Sequence, residues 1–197
     1  SAGQKTGDAV NFVTNSTKLA KAGFAESSQT LDVLTTVLNA YGMSADKVST
    51  VSDMLVQTQN KGKVTVGELA SSMGKIIPTA NASNVSLEQL CAGYAIMTSK
   101  GIAAAETTTY MNSMLNELSK SGSTTDKLLR QKMGGSFAEL MASGKSLGEI
   151  LGGIQEEASK SGLALSDMFS SSEAGKAAMS LLSNGVDGFN SSVQDMV

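Results

Sequence analysis

Apolar residues in this chain recur at three- and four-residue steps, in runs that open on Ser or Thr and close on Lys-Gly or Asn-Gly. That spacing is one face of an α-helix, and the bounding residues are those that satisfy the free amides and carbonyls at helix ends. A first helix is predicted over residues 7–22, with Val10, Val13, Thr17 and Ala20 on one face and Lys21-Ala22-Gly23 as its stop. From Glu26 a stronger stripe runs through Leu31, Leu34, Val37, Leu38 and Tyr41 to Gly42. Ser44 is placed to cap the next helix, whose stripe is Val48, Val51, Met54, Leu55 and Thr58 and whose stop is Lys61-Gly62.

The clearest instance of this punctuation covers residues 65–102. Thr65 and Glu68 stand in the T-x-x-E relation of a capping box, and Val66, Leu69, Ala70, Met73, Ile76 and Ile77 follow on one face. Pro78, the only proline, disfavours helical geometry at Ile77 and is expected to end that helix. Ser86 and Gln89 form a second capping box ahead of the stripe Leu87, Leu90, Cys91, Tyr94, Thr98 and Ile102, with Lys100-Gly101 as its stop. The segment TANASNV is therefore predicted to be the loop of a helical hairpin.

Residues 103–118 continue as helix through Thr107, Tyr110, Met111, Met114, Leu115 and Leu118, until Lys120-Ser121-Gly122-Ser123 breaks it. Shorter helices are predicted over 128–133, behind Ser136-x-x-Glu139 with Phe137, Leu140 and Met141, and behind Ser146-x-x-Glu149 with Leu147, Ile150, Leu151 and Ile154. Two more follow over 166–169 and 170–182, the latter with Ala174, Ala177, Ala178, Met179 and Leu182, before Asn184-Gly185 and a polar tail. No segment sustains two-residue alternation rich in β-formers. The predicted class is all-α, a compact multi-helix bundle of short amphipathic helices and helical hairpins. A weak repeat is visible: Lys61-Gly62 recurs as Lys100-Gly101, about 39 residues on, and the caps Ser44 and Ser86 are about 42 apart. The unequal offsets read as coincidence between helices built from the same few residue types.

Composition narrows the class. The chain has 197 residues, 41% hydrophobic and 17% charged, which is enough apolar content for a real core and excludes charge-rich disorder. Aromatics are only 4% while Met numbers 11, so the core is expected to rest on small residues and flexible thioethers, which tolerate repacking. A net charge of -3 with interspersed signs offers no phosphate-binding face. The single Cys excludes an intrachain disulfide, and Cys91 on an apolar stripe reads as a buried thiol, in keeping with assembly in a reducing compartment. No apolar run approaches the roughly 18 residues that span a bilayer. A chain opening on Ser1-Ala2 and stopping at Val197 in mid-pattern reads as a segment excised from a longer protein.

The chemistry is sparse. The absence of His removes the usual general base, the Ser-His and Cys-His nucleophile pairs and the commonest metal ligand. The carboxylate pairs that remain, Glu156-Glu157, Glu139 with Glu149 and Asp46 with Asp53, each sit where a solvated face or a cap accounts for them. Gly134-Gly135 and Gly152-Gly153 lack the strand and the Lys-Ser/Thr of a phosphate loop and read as breaks or close contacts. No catalytic, cofactor-binding or metal-ligating residue is expected, and no cofactor. Gly67, Gly74 and Gly93 fall inside predicted helices, where each costs about 1 kcal/mol relative to Ala. Either another helix packs closely on them or the helices are held marginal so that they can repack.

The string VTVGELASSMGKIIPTANASNVSLEQLCAGYAIMTSKGI resembles the core region of phage tail tape measure proteins. That family carries a helix opening T-V-x-x-L-A, a Pro-x-Ala after it, a short turn, and a Ser-led helix ending in a Gly-aliphatic pair. The matching residues here are Thr65, Val66, Leu69, Ala70, Pro78, Ala80, Ser86, Ala92, Gly101 and Ile102. The likeness extends upstream over TLDVLTTVLNAYGMSADKVSTVSDML and downstream through residues 107–118; Cys91 and Glu106 depart from it at no signature position. The resemblance implies a structural, non-enzymatic rod inside the phage tail tube, whose length sets the number of tube rings and which leaves the tail ahead of the DNA. It implies partners among tail tube proteins, tail-tip proteins and tail assembly chaperones, self-association of several copies, and residence in the virion tail after assembly in the host cytoplasm. No small-molecule substrate or specific nucleic acid is implied. On this reading residues 1–122 are the tape-measure-like helical core and 123–197 a shorter-helix portion packed on the same bundle. The alternatives are a helical binding or adhesin-like module and, with least support, a cell-wall-degrading module.

Overall fold

The computed structural model describes residues 27–197, and before them Ala9, Val10, Val13, Thr14, Asn15 and Thr17, all six helical. Val10 and Val13 are 64% and 55% exposed, so the apolar face expected there is not buried. Ala20 and the expected stop at Lys21-Ala22-Gly23 lie outside the described residues.

The described residues are helical with no strand. The helices are α1 (Ser27–Ala40), α2 (Val48–Lys61), α3 (Val66–Ser72), α4 (Ile77–Ala82), α5 (Leu87–Ser99) and α6 (Ala104–Ser119). They continue with α7 (Thr124–Lys132), α8 (Phe137–Ala142), α9 (Leu147–Lys160), α10 (Ser172–Leu181) and α11 (Gly185–Gln194). Tight 3-10 turns occupy Ala45–Lys47, Met73–Lys75 and Leu165–Met168.

Helix α5 is the centre of the bundle. Small residues, Ala92, Gly93 and Ala95, stand between its large ones, so neighbours approach on all sides, and Leu87 through Ala95 is buried apart from half-buried Glu88 and Gln89. Helices α2, α6, α10 and α11 pack on it, α6 lies along α10, and α1 covers α3 and α4. A Cβ on Gly93 would stand 2.6 Å from Met111 Sδ, and one on Gly62 only 3.0 Å from Ala95 Cα, so these two glycines are close-packing positions. Gly74 has open space around it, which leaves packing no part in its presence.

One junction recurs five times. Gly42, Asn84, Gly101, Gly144 and Gly162 have φ of +63, +61, +90, +104 and +72°, the left-handed region in which a Cβ is unfavourable. Each is followed by a single residue whose amide reaches back five positions: Met43 to Leu38 at 2.8 Å, Val85 to Ala80 at 2.8 Å, Ile102 to Met97 at 3.3 Å, Lys145 to Leu140 at 3.3 Å and Leu163 to Ala158 at 2.9 Å. This is the Schellman arrangement, which satisfies carbonyls the last helical turn leaves free. The third residue of each junction, Ser44, Ser86, Ala103, Ser146 or Ala164, is extended, with ψ between 153 and 160°.

These junctions expose a longer repeat than the offsets near 40 suggested. Between Met54 and Lys100, fourteen of forty-seven positions carry the same residue sixty places further on, without a gap, among them Met54 and Met114, Leu55 and Leu115, Met73 and Met133, Ser86 and Ser146, and Lys100 and Lys160. Helices α1, α5 and α9 open three successive units of this pattern, each followed by a left-handed junction.

Four local expectations are corrected. Pro78 begins a helix: it is the second residue of α4, where its missing N–H is one the helix would leave unbonded anyway, so Thr79–Ala82 of the expected loop is helical. Ser44 donates its hydroxyl to Asp46 and caps no amide. Ser86 does cap α5 by accepting from the Gln89 amide at 3.3 Å, but Gln89 closes no reciprocal box, because its Oε1 accepts from the Leu147 amide at 2.6 Å. The polar tail is α11, which buries Phe189 and half-buries Val186 and Val193, an i, i+3, i+7 stripe thin enough to be lost among Asn, Ser and Gly.

Candidate functional site

The residues that carry the resemblance occupy caps, junctions and buried faces. Thr65 Oγ1 accepts from the Glu68 amide and Glu68 Oε1 from the Thr65 amide, both at 3.1 Å, a complete capping box that fixes the start of α3. Val66 and Leu69 are fully buried behind it and Ala70 is half-buried. Pro78 is exposed at the start of α4, while Ala80 is buried and lends its carbonyl to the junction at Asn84. Ser86 caps α5, Ala92 is buried in it, and Gly101 and Ile102 form the junction that follows. These positions are strung along three helices and two turns and do not converge on one site.

Gly101 and Ile102 do line a groove of about 720 Å³ between the start of α6 and α10. Tyr110, Phe169 and Met179 give it apolar walls, and Lys176 Nζ stands 5.6 Å from the Tyr110 ring centroid, a cation held over a π face. Sequence spacing hides this groove because its two walls are some seventy positions apart.

The titratable groups are quiet. Burial pushes the Cys91 thiol up to about 12, so it stays protonated and unreactive at neutral pH. Burial likewise raises Tyr41 and Tyr94; Tyr41 donates to the Val85 carbonyl at 3.0 Å, tying the end of α1 to a junction, and Tyr94 pairs with Thr108. Among the described residues Asp126 is a buried carboxylate: it accepts from the Gly122 amide at 2.9 Å and from Arg130 Nε at 3.0 Å. Those bonds, the backbone one foremost, hold its pKa below the ordinary value. Sequence spacing gives no hint of that carboxylate, which the repeat places where Val66 stands in the preceding unit.

The carboxylates weighed as catalytic pairs have other partners or face water. Glu139 closes a capping box with Ser136, Glu157 pairs with Lys160 at 2.9 Å, and Glu149, Glu156, Asp46 and Asp53 are exposed. Among the described residues no cluster of His, Cys, Asp or Glu could hold a metal ion, and no helix is long and apolar enough to cross a membrane. The Gly134-Gly135 and Gly152-Gly153 pairs act differently. Gly134 turns the chain at φ +85°, whereas a Cβ on Gly152 or Gly153 would press on Val186 or Met133.

The model of the family described as phage-related minor tail protein matches residues 1–182. The chain is 40% identical over 196 residues to a probable tape measure protein of Clostridium phage phiCD119, an alignment that covers 96% of this chain and 21% of that protein. The chain thus spans about a fifth of the length of this relative. No solved structure matches it. With an all-helical bundle, signature residues placed at caps and buried faces, and a family match over nearly its whole length, the chain belongs to the phage-related minor tail proteins.

Proposed function

We propose that this chain is a non-enzymatic segment of a tape measure protein, which sets tail length from within the tail tube and leaves the tail ahead of the DNA. The observation that carries the reading is the 40% identity to a probable tape measure protein across 96% of the chain. A fold whose polar groups are engaged in caps and junctions supports it, because a measuring role asks for helical length and packing rather than reactive groups. The partners on this reading are tail tube protein, tail-tip proteins, further copies of the chain and, before assembly in the host cytoplasm, tail assembly chaperones.

The test is an in-frame deletion in the phage of residues 86–145, one sixty-residue unit between equivalent caps. Tails measured by electron microscopy should shorten by roughly 90 Å, at 1.5 Å per helical residue. Tails of unchanged length would refute the measuring role for this segment.

A further inference from the structure

Helix α11 is held by its seat more than by its own sequence. Its ten residues, GVDGFNSSVQ, include one strong helix former, Gln194, so the segment is helical only while docked. The anchors are fits of shape: a Cβ on Gly148 would stand 2.8 Å from Phe189 Cδ1, and one on Gly152 2.6 Å from Val186 Cγ2. Beyond them Met196 Sδ accepts from Thr58 Oγ1 at 3.7 Å, and Asp195 Oδ2 stands 3.9 Å from Lys61 Nζ with both side chains about half exposed. Against these, Asn190 Oδ1 is buried without a hydrogen bond, a cost that opening removes. This is the make-up of an element that lifts while the rest stays folded.

The chain enters α11 through Asn184-Gly185, the sole Asn-Gly pair in the sequence. A carboxamide followed by glycine is the pairing most open to ring closure, because no Cβ shields the attacking amide nitrogen. Asn184 is exposed and its side chain caps no amide of α11, while Gly185, at φ +76°, has open space where a Cβ would stand. Asn184 also borders a cavity of about 210 Å³ with Lys61, Ser99 and Lys100, which has room for water. Two features hold the reaction back in the docked state. The Gly185 amide donates to the Leu182 carbonyl at 2.9 Å, and a ψ of 20° at Asn184 turns the Gly185 nitrogen off the Asn184 Cβ, whereas a succinimide ring needs the two nearly eclipsed. Both yield when the backbone turns at Asn184, and turning it there swings α11 off its seat.

We propose that Asn184 is a self-modification site gated by α11: it loses its carboxamide only while α11 is off the bundle, and the isoaspartate left behind keeps α11 off. In the open state the Gly185 amide nitrogen attacks Asn184 Cγ. The new N–C bond replaces the bond to the carboxamide nitrogen, which departs as ammonia with the proton the Gly185 amide gives up. Water, the sole co-reactant, then opens the ring at either carbonyl, leaving a carboxylate and returning a hydrogen to the Gly185 nitrogen. Opening at the main-chain carbonyl leaves isoaspartate, in which the chain runs through the former side-chain Cγ and is one methylene longer. That extra length lies between α10 and α11, so Val186 and Phe189 no longer meet Gly152 and Gly148 in register. Opening at the other carbonyl leaves aspartate on an ordinary backbone, and α11 can dock again. The chemistry belongs to this chain alone and asks nothing of the tail-length reading.

Peptide mapping of the full 197-residue chain after incubation at neutral pH, with an isoaspartate-specific methyltransferase as the probe, gives the rate at Asn184. A synthetic peptide of residues 181–188 gives the ungated rate. The chain should react at least roughly tenfold slower than the peptide, and Phe189→Ala should recover most of that factor by emptying the seat. Because that variant removes a core side chain, Gly152→Ala repeats the test from the other side: it favours α9 as a helix yet presses on Val186, and should also speed the reaction. In amide hydrogen exchange the isoaspartate-bearing chain should lose protection across α11 and keep it in α5. Asn184→Asp, which brings the charge without the methylene, should keep both. A chain that reacts as fast as the peptide, or variants that react no faster than the parent, would overturn the gating. Isoaspartate with α11 still protected would overturn the consequence. No product at Asn184 once the peptide is consumed, in the parent and both variants alike, would overturn the site itself.

Discussion

The unit that begins at Ser86 is a near-copy of the one before it in local structure, yet the two are held differently. In both, a long helix, a left-handed junction, a second long helix and two short ones follow in order. In the first unit α1 folds over its own α3 and α4; in the second, α5 instead packs on α2, α6, α10 and α11. Gly62 presses on Ala95, whereas its counterpart Gly122 turns the chain at φ +83° in open space. Val66 is a core residue, and its counterpart Asp126 holds that very turn by accepting from the Gly122 amide with its carboxylate. Caps and stripes thus fix which residues are helical, while a few small or charged residues decide which helices meet.

The largest expected effect asks whether the two units melt as one. Leu55→Ala and Leu115→Ala remove equivalent, fully buried side chains, and each should cost about 3 kcal/mol, read by chemical denaturation. Two separate transitions, each shifted by only one of the variants, would show the units to be independent. Next comes the pair of equivalent glycines. Gly62→Ala, forced against Thr98 Oγ1 at 2.5 Å and the α5 backbone, should cost about 2 kcal/mol, and Gly122→Ala about 1 kcal/mol from its left-handed backbone alone. Equal costs would remove the distinction between them.

Asp126 should give the second unit a pH dependence that Val66 cannot give the first. Its pKa is lower folded than unfolded, so its contribution is complete above the unfolded value near 4 and is lost as pH falls below that toward the folded one. Asp126→Asn should therefore lower the melting temperature at pH 7, by a margin that narrows as pH falls below about 4. A gap that did not narrow on acidification would rule out the charge as the cause. The smallest effect separates Gly74 from its counterpart Gly134. Gly74→Ala, in the 3-10 turn after α3, has open space and an ordinary backbone and should stabilise by up to about 1 kcal/mol by narrowing the freedom of the unfolded chain, which would favour a segment held marginal. Gly134→Ala, at φ +85°, should destabilise by a similar amount. Gly93→Ala, against Met111, should fall on the destabilising side and marks close packing.

What could be read from residue order follows the same division. The Thr65–Glu68 and Ser136–Glu139 boxes, the Lys61-Gly62 and Lys100-Gly101 stops and the stripes of α2 and α6 are local, set by groups within one turn of each other. Pro78 was misplaced because the rule against a helix before proline is weaker than the fit of proline to a helix's first turn. Gln89 turned to Leu147, and the groove between α6 and α10 formed, through contacts between residues more than fifty positions apart, which periodicity does not encode. The sixty-residue repeat was legible in principle, but it is carried by scattered positions, buried and exposed alike, rather than by a contiguous motif.

The lone thiol gives this molecule a clock of its own. Cys91 is fully buried in α5 and protonated, so a water-soluble thiol reagent can label it only during moments when the bundle opens. The ratio of its labelling rate to that of a free thiol therefore measures the open fraction of the unaltered chain, on any timescale from seconds to days and with no substitution at all. Comparing that ratio in dilute and concentrated protein would distinguish openings a single molecule makes alone from those that end with a second copy.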